Sequence, residues 1–414
     1  MRAESVTGKH QIHFVAVQTE NDRGHWTNLT NLRGRDWVES VTWGESIDSP
    51  VGYASVTLRK AIEGDSISPF VREDLFGPGR RIRISVAVGQ PNPADPGSVA
   101  QNLKWIPGFL GKIDDIEVVR DTIQIRARDM GAYIQDAVFE YDRVYGEAGG
   151  IPADVVMQNM LDDVFGIGAI RLRVQHYPNL FVEPDYDDDG VPRPNVRRGT
   201  SVLQAIRDLA MQAGLDVRYR WTNQGYELTL YKPPRVLSAS TVHVAFGPDQ
   251  WAEAPTLSIG DSEIRNVIEV AWIDPELQYE RSVKVYNDES MRRFLARRYL
   301  LLSGEATRYI TNAEQAAKMA EAALADLSFP AATRAVRVLL CPGIELGDTV
   351  ALHGNGTDIA ATATGAVTAY EHNFSTGTGW TTIWLRDAPA GARVEWLRRG
   401  TSGGTVPILP SSIR

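Results

Sequence analysis

The sequence predicts a mainly β protein with an α+β module: two small β-barrels flanking an α/β domain. Three observations predict it. Apolar and polar residues alternate in strand fashion over the first third and last quarter of the chain, helix-period segments with end signals fall between them, and one short hairpin pattern occurs twice. The first copy reads Gly108-Phe109-Leu110-Gly111-Lys112-Ile113, followed by Thr122-Ile123-Gln124-Ile125-Arg126 and then Asp129. The second reads Thr364-Gly365-Ala366-Val367, followed by Thr382-Ile383-Trp384-Leu385-Arg386-Asp387. Upstream of each, a glycine leads into a period-two strand, Gly79 to Val86 and Gly347 to Leu352. A polar loop from Gly89 to Lys104 lengthens the first copy. Internal duplication accounts for the parallel, and chance likeness between ordinary hairpins is its rival.

Residues 1–34 mix strand-like pieces with polar turns and are read as an N-terminal arm. From Trp37 the alternation sharpens: Ala54, Val56 and Leu58 share one face of a strand while Ser55, Thr57 and Arg59 share the other. With Ile82 to Val88, Phe109 to Val119 and Thr122 to Ala127 this makes a first β-barrel over residues 35–135. Residues 136–236 read as the α/β module. Pro152 opens a helix that carries Val156, Met160 and Val164 and stops at Gly166. Ser201 and Gln204 are spaced as a capping box for a second helix, which Gly214 ends. A hairpin follows, from Val217 to Tyr231. Residues 237–290 are expected to contribute strands to a second barrel, 291–331 to form a basic segment and a helix packed on the α/β module, and 332–390 to complete the second β-barrel. The helix opens at Thr311-Asn312-Ala313-Glu314, another capping-box spacing, and its alanine face suits close packing. Residues 391–414 are expected to form a flexible C-terminal tail, with Gly400 to Thr405 as linker and a short apolar end able to dock on a neighbouring protein.

The chain of 414 residues is too long for one core and predicts two to four domains. Its 43% hydrophobic and 23% charged residues are those of an ordinary water-soluble protein. No apolar run is long enough for a transmembrane helix, and the first residues lack the apolar core of a signal peptide. Cys341 is the single cysteine, which excludes an intrachain disulfide and any multi-cysteine metal site. Its place at an apolar strand end favours packing over catalysis. A net charge of -9 argues against a protein built mainly to neutralise nucleic-acid phosphates.

Candidate chemistry is sparse. Asp185-Tyr186-Asp187-Asp188-Asp189-Gly190 matches the opening of a calcium loop, with Asp185, Asp187 and Asp189 as the weak metal candidates. Val196 stands where the closing glutamate belongs, and Pro192 and Pro194 interrupt the loop, so a solvated acidic loop is the expectation. The seven histidines are scattered, and no phosphate loop, nucleophile elbow or dinucleotide fingerprint is present. No cofactor and no catalytic residue is predicted. Arg292, Arg293, Arg297 and Arg298 form a basic cluster that either pairs with acidic surfaces of a neighbour, lines a channel that passes nucleic acid, or is a solvated helix face.

The order of elements over residues 35–390 resembles the hub proteins at the centre of phage baseplates, contractile and non-contractile, and the N-terminal part of type VI secretion spike proteins. The stretches that carry the resemblance are Val38 to Leu58; Phe109-Leu110-Gly111-Lys112-Ile113-Asp114-Asp115 before Ile123 to Asp129; Ser201 to Ile206 leading to Ala213-Gly214-Leu215; Asn266 to Val270; Ile310 to Ala316; and Pro342 to Val350. The resemblance implies a tail-hub-like fold and a non-enzymatic structural virion protein. It implies a homotrimer whose six similar barrels adapt a six-fold tail tube to a three-fold spike or fibre. The implied partners are the chain itself, a tail tube or distal tail protein, a spike or fibre protein, and a tape-measure protein, with DNA only in transit. The implied place is the virion tail tip or baseplate, assembled in the cytoplasm of a host bacterium. No segment is long enough for a separate peptidoglycan-cleaving domain. Two other readings stand beside it: a distal-tail or other baseplate structural protein, and, from another class, a carbohydrate-binding or glycan-processing β protein suggested by scattered Trp and Asp.

Overall fold

Strand alternation and paired glycines dictate most of what the computed structural model shows. It describes residues 12–21, 23–68, 75–89, 91–92, 95–99, 105–184, 186, 189–222, 225–233, 242–258, 260–274, 277–330, 333–354, 362–375, 378–386, 393–403 and 406–407. The chain divides into two units, each built from three stretches of sequence. The first comprises Met1–Ala132, Leu237–Ser258 and Thr333–Asp387, and the second Tyr133–Val236, Ile259–Ala332 and Ala388–Arg414.

The first unit holds a thirteen-stranded sheet. Its strands are β1 (Ile12–Glu20), β2 (Trp26–Asn28), β3 (Val38–Ser46), β4 (Ser49–Arg59), β5 (Arg81–Gly89), β6 (Trp105–Val119), β7 (Thr122–Asp129), β8 (Val244–Phe246), β9 (Trp251–Ser258), β10 (Thr333–Leu339), β11 (Thr349–Leu352), β12 (Ala363–Ser375) and β13 (Thr378–Arg386). Their order is β9-β10-β13-β12-β3-β4-β7-β6-β5-β1-β2, with β11 beside β12 and β8 beside β11. All neighbours run antiparallel except β8 and β11. The alternation buries two separate clusters. One gathers Val41, Trp43, Val56, Leu58, Ile82, Ile84, Ile123 and Ile125, and the other Phe246, Val336, Val338, Val350, Leu352, Ile383 and Leu385. The mainly β class is therefore as expected. The two cores belong to one continuous sheet, and in the first repeat the Trp37 N–H, just before β3, donates to the Leu29 carbonyl, just after β2, at 3.3 Å.

The twofold pattern in the sequence is a structural repeat. Strands β3, β4, β5, β6 and β7 stand in the order β3-β4-β7-β6-β5, and β9, β10, β11, β12 and β13 stand in the order β9-β10-β13-β12-β11. The registers match at several points, although β9 has a further shift between Glu253 and Thr256 that β3 lacks. Between β6 and β7 the ladder passes from Ile113↔Ala127 to Asp115↔Arg126, leaving Asp114 as a bulge. Between β12 and β13 it passes from Val367↔Leu385 to Ala369↔Trp384, leaving Thr368. Val38↔Leu58 followed by Ser40↔Thr57 likewise matches Trp251↔Val338 followed by Glu253↔Arg337. The glycines before β5 and β11 adopt the same left-handed turn, φ 82° at Gly79 and 84° at Gly347. Gly79 N–H donates to the Ile113 carbonyl at 2.7 Å and Gly347 N–H to the Val367 carbonyl at 2.9 Å. One matched bulge can arise by chance; two matched bulges and a shared turn fix a common architecture.

The second unit carries the helices. α1 (Gly131–Asp136) leads out of the first repeat. α2 (Ala153–Phe165) starts at Pro152 as predicted and packs beside α3 (Val202–Gln212) and the strand Arg171–Val174, which belongs to a three-stranded sheet with Asp216–Thr222 and Gly225–Tyr231. Ser201 is the N-cap of α3 but forms no capping box: its hydroxyl donates to the Gln135 carbonyl at 2.9 Å, and Gln204 bonds Asp208 one turn on. A second sheet has the order Glu280–Tyr286, Val267–Ile273, Tyr299–Leu302, Thr401–Ser402. α5 (Ala313–Leu327) covers Val267–Ile273 and Glu280–Tyr286 with its alanine face, and its N-cap Asn312 accepts from Gln315 N–H at 3.0 Å. No helix among the described residues is long and apolar enough to cross a membrane.

Two expectations are corrected here. Of the strands expected from 237–290, only β8 and β9 join the second repeat; Val267–Ile273 and Glu280–Tyr286 pair in the second unit instead. The reason is the parallel bond between Val267–Ile273 and Tyr299–Leu302, whose intervening crossover keeps both strands with the helices. Residues 391–414 are not wholly a flexible tail. α6 (Arg393–Arg399) buries Arg393 and Trp396. Arg393 donates to the Phe329 carbonyl at 3.0 Å and to the Asp326 carbonyl, and Trp396 Nε1–H donates to the Asp326 carboxylate at 2.9 Å. A guanidinium on the Asp326 carbonyl, in the last turn of α5, is favoured by the negative end of the helix dipole. Beyond α6, Thr401–Ser402 pairs with Leu300 and Leu301, and Val406–Pro407 with Ala296–Arg297. The rest of the apolar end, 408–414, lies outside the described residues.

Candidate assembly surface

The basic cluster is held by a buried asparagine. Asn266, fully buried, accepts from Arg298 N–H through its side chain at 2.8 Å and donates to the Ala296 carbonyl at 2.9 Å. Its own carbonyl accepts from Asn287 N–H, the N-cap of α4 (Asp288–Phe294). These bonds pin both ends of the segment that carries the arginines. Arg298 is turned inward onto the Asp261 carboxylate at 2.5 Å. Arg292 and Arg293, in the last turn of α4, and Arg297 are exposed. The Arg297 guanidinium lies 5.7 Å from the ring of Tyr286 and that of Arg293 5.6 Å from the ring of Phe294. The structure therefore divides the predicted four into one structural arginine and three surface ones.

Of the acidic loop, Asp185 and Asp187 lie outside the described residues. Asp189 stands in a turn closed by a bridge between Tyr186 and Pro192. Cys341 packs against the second core, and burial pushes its thiol up to about 11, which keeps it protonated.

The most informative surface is the line where the two repeats meet. The second half of β12 pairs with β3 from Ala369↔Ser46 to Ser375↔Ser40. At its centre His372 is opposite Trp43, with ring centroids 4.9 Å apart, and is also 4.9 Å from Tyr370. Burial lowers the His372 pKa to about 3, so the ring is neutral; its Nδ1 shares a 2.8 Å hydrogen bond with the Thr381 hydroxyl. Asn373 donates to the Thr42 hydroxyl at 3.1 Å. Gly44 permits the approach, because a Cβ there would overlap the Tyr370 carbonyl. The sequence carried one signal of this seam, an isolated glycine inside the strand Trp37 to Trp43 and beyond, which marks a bulge or close backbone approach.

Each repeat also has an edge facing away from the seam. In β6, residues Asp115–Val119 pair with β7 on one side, and among the described residues no strand pairs on the other. β9 pairs with β10 on one side and, among the described residues, has no partner on the other.

No protein-family model matches the sequence, and no curated protein matches it. Solved structures do. A tail protein from Neisseria meningitidis MC58 aligns with a TM-score of 0.56 and 12% identity, covering 90% of this chain and 96% of that one. The 43 kDa tail protein of prophage MuSo2 from Shewanella oneidensis gives 0.54 and 14%, covering 90% and 98%. The chain has a tail-protein fold. The prophage tail protein gp18 from Listeria monocytogenes EGD-e aligns at 0.52 and 10%, covering 93% and 98%. At such identities the likeness is one of fold, and it covers 90–93% of this chain.

Proposed function

We propose that the protein is a structural component of a phage-type tail: a homotrimeric hub at the tail tip or baseplate that adapts a six-fold tube to a three-fold spike or fibre. The observation that carries this reading is the repeat. A chain that presents one strand architecture twice, with matched bulges, supplies six similar surfaces when three copies assemble, which is what contact with a six-fold ring requires. The fold shared with prophage tail proteins supports the same reading. The partners are then a tube or distal tail protein on one side, a spike or fibre protein on the other, and tape-measure protein and DNA passing through the lumen. The place is the virion, assembled in the bacterial host. Arg292, Arg293 and Arg297 serve as a basic contact surface in this role, and the chain works without catalysis.

Light scattering behind size exclusion, with negative-stain imaging of the same peak, tests the proposal. A mass of three times the 45.7 kDa chain and a ring with a central hole are expected. A stable dimer without a ring sinks it. Clearing of peptidoglycan in a zymogram would overturn the non-enzymatic part alone.

A further inference from the structure

The three-stranded sheet of the second unit has two unlike faces. Register and alternation place Leu172, Leu228, Leu230, Val217 and Tyr219 together on one face, and all five are buried, with α2 against the strand Arg171–Val174 and α3 against Asp216–Thr222. The other face carries Arg171 and Arg173 on the first strand, Glu227, Thr229 and Tyr231 on Gly225–Tyr231, and Arg218 on the third. It is a basic face in an acidic chain.

Two adjoining rows on this face repeat one arrangement, an arginine position on each outer strand and a central residue between them. In the first row Glu227 has Arg171 opposite it on one side and Arg220 on the other. In the second row Thr229 stands between Arg173 and Arg218. The first row therefore supplies its own carboxylate, whereas the second has a hydroxyl at the same place. That hydroxyl is buried, and among the described residues it has no hydrogen-bond partner. A buried hydroxyl left unsatisfied is costly, and an ion is one of the few reasons for a chain to keep it.

Both arginines of the second row are held by residues of the rows beside it. Arg173 Nη1 donates to the Glu227 carboxylate at 3.3 Å, and the Arg173 side chain is still 57% exposed, so the rest of its guanidinium fork stays available. The Arg218 guanidinium lies 4.9 Å from the ring of Tyr231. An anion over Thr229 meets guanidinium donors from two sides and a hydroxyl donor from the sheet. A tetrahedral oxyanion has an oxygen for each of these, while a carboxylate has its oxygens in a single plane. The row beside it already has an anion at its centre, and the row on the far side has the uncharged Tyr231. A single phosphate therefore suits the face better than a phosphodiester backbone laid along the strands.

We propose that this row binds one phosphate group, free or as a monoester, between the Arg173 and Arg218 guanidinium groups, with the Thr229 hydroxyl donating to it.

Isothermal titration of the full chain in a chloride buffer tests the site, with inorganic phosphate, glycerol 3-phosphate, acetate and an oligothymidylate lacking a terminal phosphate as probes. Saturable binding of inorganic phosphate or glycerol 3-phosphate is expected, and the tighter of the two shows whether the free ion or an ester is the source. No binding of either up to about 10 mM overturns the proposal. So does acetate or the oligonucleotide binding as tightly as the phosphate probes. Thr229→Val, which replaces the hydroxyl by a methyl, should weaken phosphate binding about tenfold and raise Tm in phosphate-free buffer, because the unsatisfied group is gone. Lower Tm with unchanged phosphate affinity would make Thr229 a structural residue and overturn the site. Arg218→Lys should weaken binding by about tenfold through loss of the planar fork. Arg173→Lys, at a side chain more than half exposed, gives the same reading should circular dichroism show Arg218→Lys misfolded. Wild-type affinity in these variants overturns the assignment even where phosphate binds.

Discussion

The two repeats share one strand architecture and differ in what has been added to it. In the first, β3 and β4 are joined by the short turn Ile47-Asp48; in the second, the corresponding β9 and β10 are separated by residues 259–332, which belong to the helical unit. In the first, the far half of β6 has no strand partner on one side among the described residues; in the second, the far half of β12 is covered by β3. The side chains follow the neighbours. The covered position holds His372 among aromatic rings, and the open one holds Val118. Register and bulges are properties of backbone pairing and persist through sequence change, while side chains answer to whatever packs against them.

Three tests break or sharpen this comparison. Ile125 and Ile383 occupy equivalent, fully buried positions on β7 and β13. Ile125→Ala and Ile383→Ala should each cost about 3–5 kcal/mol in denaturant unfolding and agree within about 1 kcal/mol. A large disparity would mean that the two cores are not comparable. Next, Gly44→Ala should cost about 2–3 kcal/mol by forcing β3 off the Tyr370 carbonyl. Ser258→Ala, at the equivalent place on the open edge, should change stability by less than about 0.5 kcal/mol. Equal effects would show that the seam does not depend on that close approach. The smallest effect concerns pH. His372 stays neutral in the folded chain down to about 3, whereas the unfolded chain takes up a proton below its ordinary value of 6.5. Its contribution is therefore complete above 6.5 and declines as pH falls below that value, with about 1 kcal/mol lost by pH 5.5. His372→Val, which installs the first repeat's residue type, should flatten that part of the stability curve. Identical pH dependence in wild type and variant would show that the folded ring accepts a proton.

The strands were legible because alternation is local: Ala54, Val56 and Leu58 each declare their face within a few residues. The hairpin glycines, Gly79 and Gly347, were legible for a similar reason, since a left-handed turn excludes most side chains. α6 was not. Arg393 to Arg399 has no residue that announces a cap, and the helix is held far upstream by the Asp326 carbonyl in α5 and the Phe329 carbonyl just past it. The arginine cluster was visible as charge, but which arginine turns inward depended on Asp261 and Asn266, neither of which stands out in sequence.

By itself, the sequence determined the mainly β class, most strands and long helices, the repeated hairpin and the absence of a motif for known catalytic chemistry. Only the tertiary structure decided that Val267–Ile273 leaves the second repeat and that the repeats fuse along β3 and β12. The physical reason is one of range. Periodicity and turn chemistry act over a few residues, while the choice of strand partner is made between segments hundreds of residues apart, by hydrogen bonds and burial that no local pattern encodes.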